Sequence, residues 1–329
     1  MDRSWFESLF GFVETSAEDV RQNLVLEGTR LRSRANQRVF EAGRLEIPSL
    51  ARLREQAAGT EASGSTTVEE WVADARELHR DERAAGALFQ VASQFNLLEM
   101  VGPEVTPERG VTGYVDDHTQ GPACALAAAA GTVYRAYFHP VGEGIGQSAD
   151  RQIDCLADVE ARLRRDDESM WAMRNGYALP SREQLREIRR RIEHSSASEI
   201  DALRDALRIG VQWDTDVTLP GANQRVTQAY CSALPVDYSG LPSHQWEPFG
   251  RLVLEGAYEA TLAAAVLQSA RSGNRRVFLT LLGGGAFGNP EPWIIDAIER
   301  ALGLYADAGL EVVLVSYGYK NPAIGRLLR

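Results

Sequence analysis

The sequence is poor in the residues that build disulfide, metal or membrane chemistry. Its three cysteines (Cys124, Cys155, Cys231) are odd in number and far apart, so no disulfide framework is expected and a reduced setting is. Each reads as a small buried hydrophobe. The five histidines (His79, His118, His139, His194, His244) keep no HExxH or CxxC company, so neither a metal nor a cofactor is expected. No block of five or more Lys/Arg occurs, and the net charge is −11 with a pI near 5.1. Counterion release at a phosphate backbone needs clustered cations, so nucleic acid is not an expected partner. The opening MDRSWFESLFGFVET has acidic residues early and no apolar run of leader length. Leu252–Leu267, the most apolar helical stretch, is interrupted by Glu255 and Glu259, too short and too charged to span a bilayer. These absences together lead us to expect a cytoplasmic protein with no membrane partner.

What is present is ordinary globular composition: 44% hydrophobic, 25% charged and 8% aromatic in 329 residues. Residues 1–57 are expected to be helical, because WFESLFGFVE and SAEDVRQNLVLEGTRLRSRANQRVF space apolar residues by three and four. Gly59–Ser65 reads as a loop, and TVEEWVADARELHR carries Thr67 and Glu70 at capping-box spacing. ALFQVAS (87–93) reads as a short buried strand. The polar stretch Gly102–Pro122 is long for a connection inside a compact chain, which marks it as functional or mobile. It opens into ALAAAAGTVYRAYF, a small-residue helix that must pack closely. Residues 150–208 are charged and helical, with serine caps before REQLREIRRRIE and EIDALRDAL. Their runs RRDDE and RRRIE read as solvated helix faces.

From residue 207 onward the pattern becomes strand (LRIGVQWDTDVTL), strand (RVTQAYCSALPV), helix (247–272), strand (RRVFLTLL), glycine turn, helix, strand (LEVVLVSYG). Parallel strands need crossover connections, so this order predicts an α/β fold with a mixed sheet between helices. No internal repeat and no low-complexity tail is present.

The turn is TLLGGGAFGNPEPW. In open α/β sheets ligands sit beyond the carboxyl ends of strands. Glycines there let the backbone approach phosphate oxygens, and the following helix adds partial positive charge. It lacks P-loop spacing, and no Lys follows for a γ-phosphate. Gly283, Gly285 and Gly288 fit GxGxxG, but at the far end of the chain from where a dinucleotide fingerprint belongs. Tight strand–helix packing is the bland account of the same glycines. Phe287 argues for a ligand, since a ring beside a phosphate loop can border a ribose.

The stretch VFLTLLGGGAFGNPEPWIIDAIERALGLYADAGLEVVLVSYG is similar to the C-terminal part of the macrodomain family, which binds ADP-ribose. The helix before it and FQVASQFN, in place of the family's strand–Asn element, extend the resemblance. ASQFNLLEM, DDHTQGPACA and LGGGAFGN together resemble an atypical macrodomain branch. That branch includes bacterial-effector enzymes that remove ADP-ribose from arginine, notably on ubiquitin. The likeness covers roughly residues 85–140 and 205–329. It implies a macrodomain-like domain over 81–329, a helical insertion near 150–205, and an N-terminal helical extension over 1–80 packed on the core. There is no clean NAAN, and the loop after the strand is longer and more acidic than in a simple reader.

If ADP-ribose is the ligand, its diphosphate would take N–H groups of Gly283, Gly284, Gly285, Ala286, Phe287 and Gly288. Thr119, Gln120 and Gly121, opening the Ala-rich helix, would form a second cradle. Gln94, Asn96 and Glu99 are candidate anchors for adenine or ribose, and Asn289 for a ribose hydroxyl. Cleavage of a ribosyl–arginine bond passes through an oxocarbenium-like state that a carboxylate favours. Asp116 and Asp117 are the candidate catalytic carboxylates, and an acidic loop also attracts a cationic adduct. Asp214 and Asp216 share a strand face and read as an exposed edge; Tyr230, Asp237 and Tyr238 would border the pocket. The expected activity is removal of ADP-ribose from modified protein at arginine. A non-catalytic ADP-ribose reader and a dinucleotide-dependent oxidoreductase are the alternatives.

Overall fold

The computed structural model describes residues 2–164 and 168–328; Arg165–Asp167 of the RRDDE run lie outside the described residues. The centre is a seven-stranded mixed sheet. Its strands are β1 (Arg44–Glu46), β2 (Thr67–Val72), β3 (Leu88–Ala92), β4 (Gly210–Asp216), β5 (Arg225–Cys231), β6 (Arg276–Leu279) and β7 (Glu311–Ser316). Their order across the sheet is β1-β4-β5-β3-β6-β7-β2. β4 is antiparallel to β1 and β5, and β5, β3, β6, β7 and β2 run parallel. β3, β6 and β7 are near-continuous apolar runs because helices cover both faces. Neighbouring residues of β5 show the two faces. Thr227 donates to Gln268 Oε1 at 2.9 Å, whereas Gln228 donates to the Cys124 carbonyl at 2.8 Å.

Cys124 lies on α1 (Gln120–Ala127), which is followed by α2 (Ala129–Tyr137). The expected single Ala-rich helix is thus broken at Ala128, where Thr218 Oγ1 takes the N–H of Ala129 at 3.0 Å. Its close packing is real: a Cβ on Gly131 would sit 2.9 Å from Thr215 Oγ1. The charged segment forms α3 (Arg182–Glu193) and α4 (Ala197–Ala206), both with serine capping boxes. The RRRIE face is laced by Arg189–Glu193 and Arg190–Glu187 pairs, while Leu185, Ile188 and Ile192 are buried. Between α2 and α3, Ala172–Arg174 and Tyr177–Leu179 make a small hairpin. α5 (Ser243–Ser272) carries Gln268, and α6 (Glu291–Leu304) packs beside it.

Residues 1–57 differ from the helical expectation. After two short helices, Leu24–Glu27, Arg30–Ser33 and Val39–Glu41 form an antiparallel sheet. The register Glu27↔Arg30 leaves a two-residue turn headed by Gly28 at φ 65°, a hairpin geometry that glycine permits. That turn outweighs the apparent helical spacing. The Thr67/Glu70 pattern is no capping box either: Thr67–Val72 is β2, at the edge of the central sheet. Glu70 instead accepts hydrogen bonds from Ser316 Oγ at 2.7 Å and the Asn321 N–H at 2.6 Å. The first 80 residues therefore supply both edge strands of the central sheet.

Candidate functional site

A cleft of about 330 Å³ opens at the carboxyl ends of β3, β5 and β6, and the glycine stretch forms one wall. Gly283 sits at φ 74° against Ala233 and Asn289, and Gly288 at φ 68° against the Asp237 carboxylate; neither has room for a Cβ. The loop then ties itself together. Gly284 N–H donates to Leu281, Gly288 to Gly285 and Asn289 to Gly283, at 3.1, 3.0 and 2.9 Å. The N–H groups of Gly283, Gly285, Ala286 and Phe287 donate to no protein acceptor among the described residues, and all four residues line the cleft. The expected six-amide cradle is thus sorted: two of its amides hold the loop's shape and four remain open.

Asn289 does not line the cleft. It is buried behind the loop, and its Nδ2 donates to the carbonyls of Leu234 at 2.8 Å and Gly283 at 3.3 Å. Phe287 belongs to a ring cluster with Tyr177 at 5.3 Å and Tyr238 at 5.7 Å, and all three rings line the cleft. Sequence reasoning misses Tyr177, which arrives from the small hairpin inside the charged insertion.

The facing wall is the start of α1. Gln120 is locked onto β3, accepting from the Ala92 N–H at 2.9 Å and donating to the Gln90 carbonyl at 2.8 Å. Gly121 lies so close to the Ala92 carbonyl and Glu99 Oε2 that a Cβ would be 2.5 Å from the latter. The Thr119 side chain makes no cap; its N–H donates to Asp117 Oδ1 at 2.8 Å. Asp117, Thr119, Gln120 and Gly121 all line the cleft. Asp116 does not. It lies on the surface, hydrogen-bonded to Arg3 at 2.6 Å, which holds its carboxyl below the usual range.

The loop leaving β3 supplies the floor. Gln94 lines the cleft, its Oε1 accepting from Met100 N–H at 2.6 Å. Asn96 is turned inward, donating to Gln152 Oε1 at 2.9 Å and accepting from Leu98 N–H at 3.1 Å. Glu99 lines the cleft although only 6% of it is exposed, and its Oε1 has no partner among the described residues. Burial pushes its carboxyl well above the ordinary range, against the pull of Arg135 and with a further push from Asp117. Arg135 itself is fully buried on α2. It donates to Leu97 O at 3.1 Å and to Thr132 Oγ1 at 3.2 Å, and lies 3.5 Å over the Tyr230 ring, leaving Nη1 unpartnered. The sequence signal for Arg135 is a lone cation inside an Ala-rich run.

A second lobe of about 390 Å³ shares Asp117, Thr119, Gln120 and Thr280 with the first. It is bordered by Asp74, Arg76, His118 and Tyr317, whose ring is 80% exposed. No Lys or Arg lines the first lobe. Away from both, Asp216 accepts from Glu41 N–H at 2.7 Å and pairs with Arg225, and Asp214 lies 3.8 Å from Arg271. Tyr230 is wholly buried. Among the described residues no group of three or more His, Cys, Asp or Glu could hold a metal, and no helix is long and apolar enough to cross a membrane.

No protein-family model matches the sequence, and no curated protein matches it. Solved structures that resemble the fold are poly(ADP-ribose) glycohydrolases. The Thermomonospora curvata enzyme is 16% identical, covering 93% of this chain and 94% of its own, with a TM-score of 0.46. The same enzyme bound to the inhibitor ADP-HPD covers 95% of this chain and 97% of its own, at 16% identity and a TM-score of 0.46. A point mutant of the Deinococcus radiodurans enzyme with ADP-ribose is 14% identical over 86% of this chain and 90% of its own, with a TM-score of 0.45.

Proposed function

We propose that the chain binds ADP-ribose in the two-lobed cleft and hydrolyses its bond to modified protein, arginine being the acceptor side chain. The observation that carries this reading is the four N–H groups without protein acceptors, on residues that line the same cleft as the start of α1. Amides converging on one cleft at strand carboxyl ends suit a diphosphate. The second lobe offers the exposed Tyr317 ring as a stacking surface for a base. The ring cluster of Phe287, Tyr177 and Tyr238 borders the opposite end, where a ribose fits. Asp117 is the carboxylate of the expected pair that meets the cleft, and Asp116 is spent on Arg3. An acidic wall whose main lobe carries no Lys or Arg favours a guanidinium leaving group. The quoted motifs that resemble arginine-directed macrodomains point the same way. ADP-ribosylated ubiquitin is the first protein substrate to try, and the cytoplasm is the proposed compartment.

Calorimetric titration with ADP-ribose and release of ADP-ribose from an ADP-ribosylarginine peptide test this. Asp117→Ala should lower turnover about 100-fold or more while leaving ADP-ribose affinity within a few-fold; Asp116→Ala should change neither. A wild-type protein that binds ADP-ribose but releases none from arginine-, glutamate- or serine-linked substrates is a reader. Tight NAD(P) binding with weak ADP-ribose binding would favour the oxidoreductase.

A further inference from the structure

Resting on that reading, we infer that Glu99 is a second working carboxyl of the cleft, the acid that hands its proton to the departing guanidine nitrogen while Asp117 takes the proton of the attacking water. The chain builds an expensive setting for this side chain. Leu97, two residues earlier, holds φ 64°, a left-handed conformation costly for a bulky residue. It is pinned there from several sides. Arg135 binds its carbonyl, and Leu97 N–H donates to Gln94 O at 2.9 Å. Cβ atoms on Gly210 or Gly176 would collide with Leu97 or with Gln94 and Asn96. Gln147 Nε2 donates to Asn96 O at 3.0 Å. The strained turn delivers Glu99 to the cleft wall beside the first turn of α1, with its N–H bonded to Tyr114 Oη at 3.0 Å. A carboxyl placed there for structure alone would be expected to use both oxygens, yet Oε1 is buried and unpartnered.

The two carboxyls lie in contrasting surroundings. Asp117 accepts a backbone N–H at the rim. Glu99 is buried, its N–H on Tyr114 Oη, under the opposing fields of the Arg135 cation and the Asp117 anion. Burial pushes its carboxyl toward the protonated form. Divergent environments of this kind divide acid from base. In the reaction the bond from ribose C1 to nitrogen breaks with its electron pair going to the guanidine. That nitrogen takes the Glu99 proton and leaves as guanidinium. A bond forms from C1 to the water oxygen, whose proton passes to Asp117. Solvent then restores both carboxyls.

The test compares an arginine-linked with a 4-nitrophenyl-linked ADP-ribose, whose leaving group needs no proton. Glu99→Gln should lower turnover of the arginine substrate about 100-fold or more and turnover of the aryl substrate less than about 3-fold, with unchanged ADP-ribose affinity. In the wild type, activity on the arginine substrate should fall on the alkaline side as Glu99 loses its proton, and activity on the aryl substrate should lack that limb; this stands even if the variant folds poorly. Equal slowing of both substrates, or no slowing, overturns the assignment of Glu99 while leaving the hydrolase reading intact. A wild type that cleaves neither substrate overturns both.

Discussion

Two clusters of charge in this molecule are built to opposite standards. Arg54, on the helix Leu50–Ala58, bonds Glu259 of α5 at 2.5 and 2.9 Å and Asp201 and Asp205 of α4 at 2.8 and 2.9 Å. Arg300 of α6 adds a 2.6 Å bond to Glu259, and Arg204 closes onto Glu255 at 2.6 Å. Four helices are tied by charges that all have partners. In the cleft, Glu99 and Arg135 are more deeply buried than any of these but Glu259, yet each leaves an atom unpartnered. Burying polar groups without partners is destabilising. Satisfied charge marks the scaffold; the unsatisfied atoms lie at the cleft, where the proposed ligand would complete the count.

The largest expected effect breaks the first group. Glu259→Ala should cost about 3 kcal/mol, the low end for a buried pair, because it removes the most buried partner of Arg54 and Arg300 while Asp201 and Asp205 remain. Chemical denaturation measures it, and ADP-ribose affinity of the folded fraction should stay within a few-fold.

Protonation sharpens the contrast next. His79 is a fully satisfied buried group. Its Nδ1–H donates to Ala75 O at 2.7 Å, its Nε2 accepts from Gln228 at 3.0 Å, and burial lowers its pKa to about 4. The unfolded chain takes a proton on this imidazole that the fold refuses. Stability is therefore full above the ordinary value near 6.5 and falls with acid down to about pH 4, by about 3 kcal/mol at most. Glu99 has the opposite slope. Its raised pKa makes its contribution full below the ordinary glutamate range and lost as pH rises through the folded value. Denaturation midpoints across pH should show the acid-side loss flattened in His79→Gln, and Glu99→Gln gaining on the wild type toward alkaline pH.

The smallest effects separate the glycines. Gly283→Ala meets Ala233 at positive φ and should cost about 1–3 kcal/mol. Gly285→Ala meets nothing within 4 Å and should leave stability within about 0.5 kcal/mol. Its methyl group stands at an open amide, so ADP-ribose affinity should fall in calorimetry while the melting curve holds.

Much of this architecture is legible in the amino-acid sequence. The apolar runs LFQVA, RVFL and EVVLVS have the length and composition of inner strands, and glycines after such a strand locate the cleft. What escapes is whatever depends on direction. Asn96 and Asn289 have the chemistry of ribose anchors, yet their amides turn inward to brace loops. Asp116 and Asp117 are adjacent and alike in sequence, and only a distant Arg3 distinguishes them. Gly28 hides a hairpin inside an apparently helical spacing. Arg135 is one cation among many in the sequence, which does not report what a side chain is buried against.

On the proposed reading the cleft would hold its diphosphate through neutral amides, with no Lys or Arg along its main lobe, in a chain of net charge −11. Its amide dipoles act at short range and the Asp117 carboxylate on its rim repels anions, so attraction for a diphosphate would begin only at contact. Selection then falls on fit after arrival, and residence, not capture, governs how long a product occupies the enzyme. If the proposed hydrolysis holds, a product that keeps the substrate's two phosphates would leave such a site with no ion pair to break.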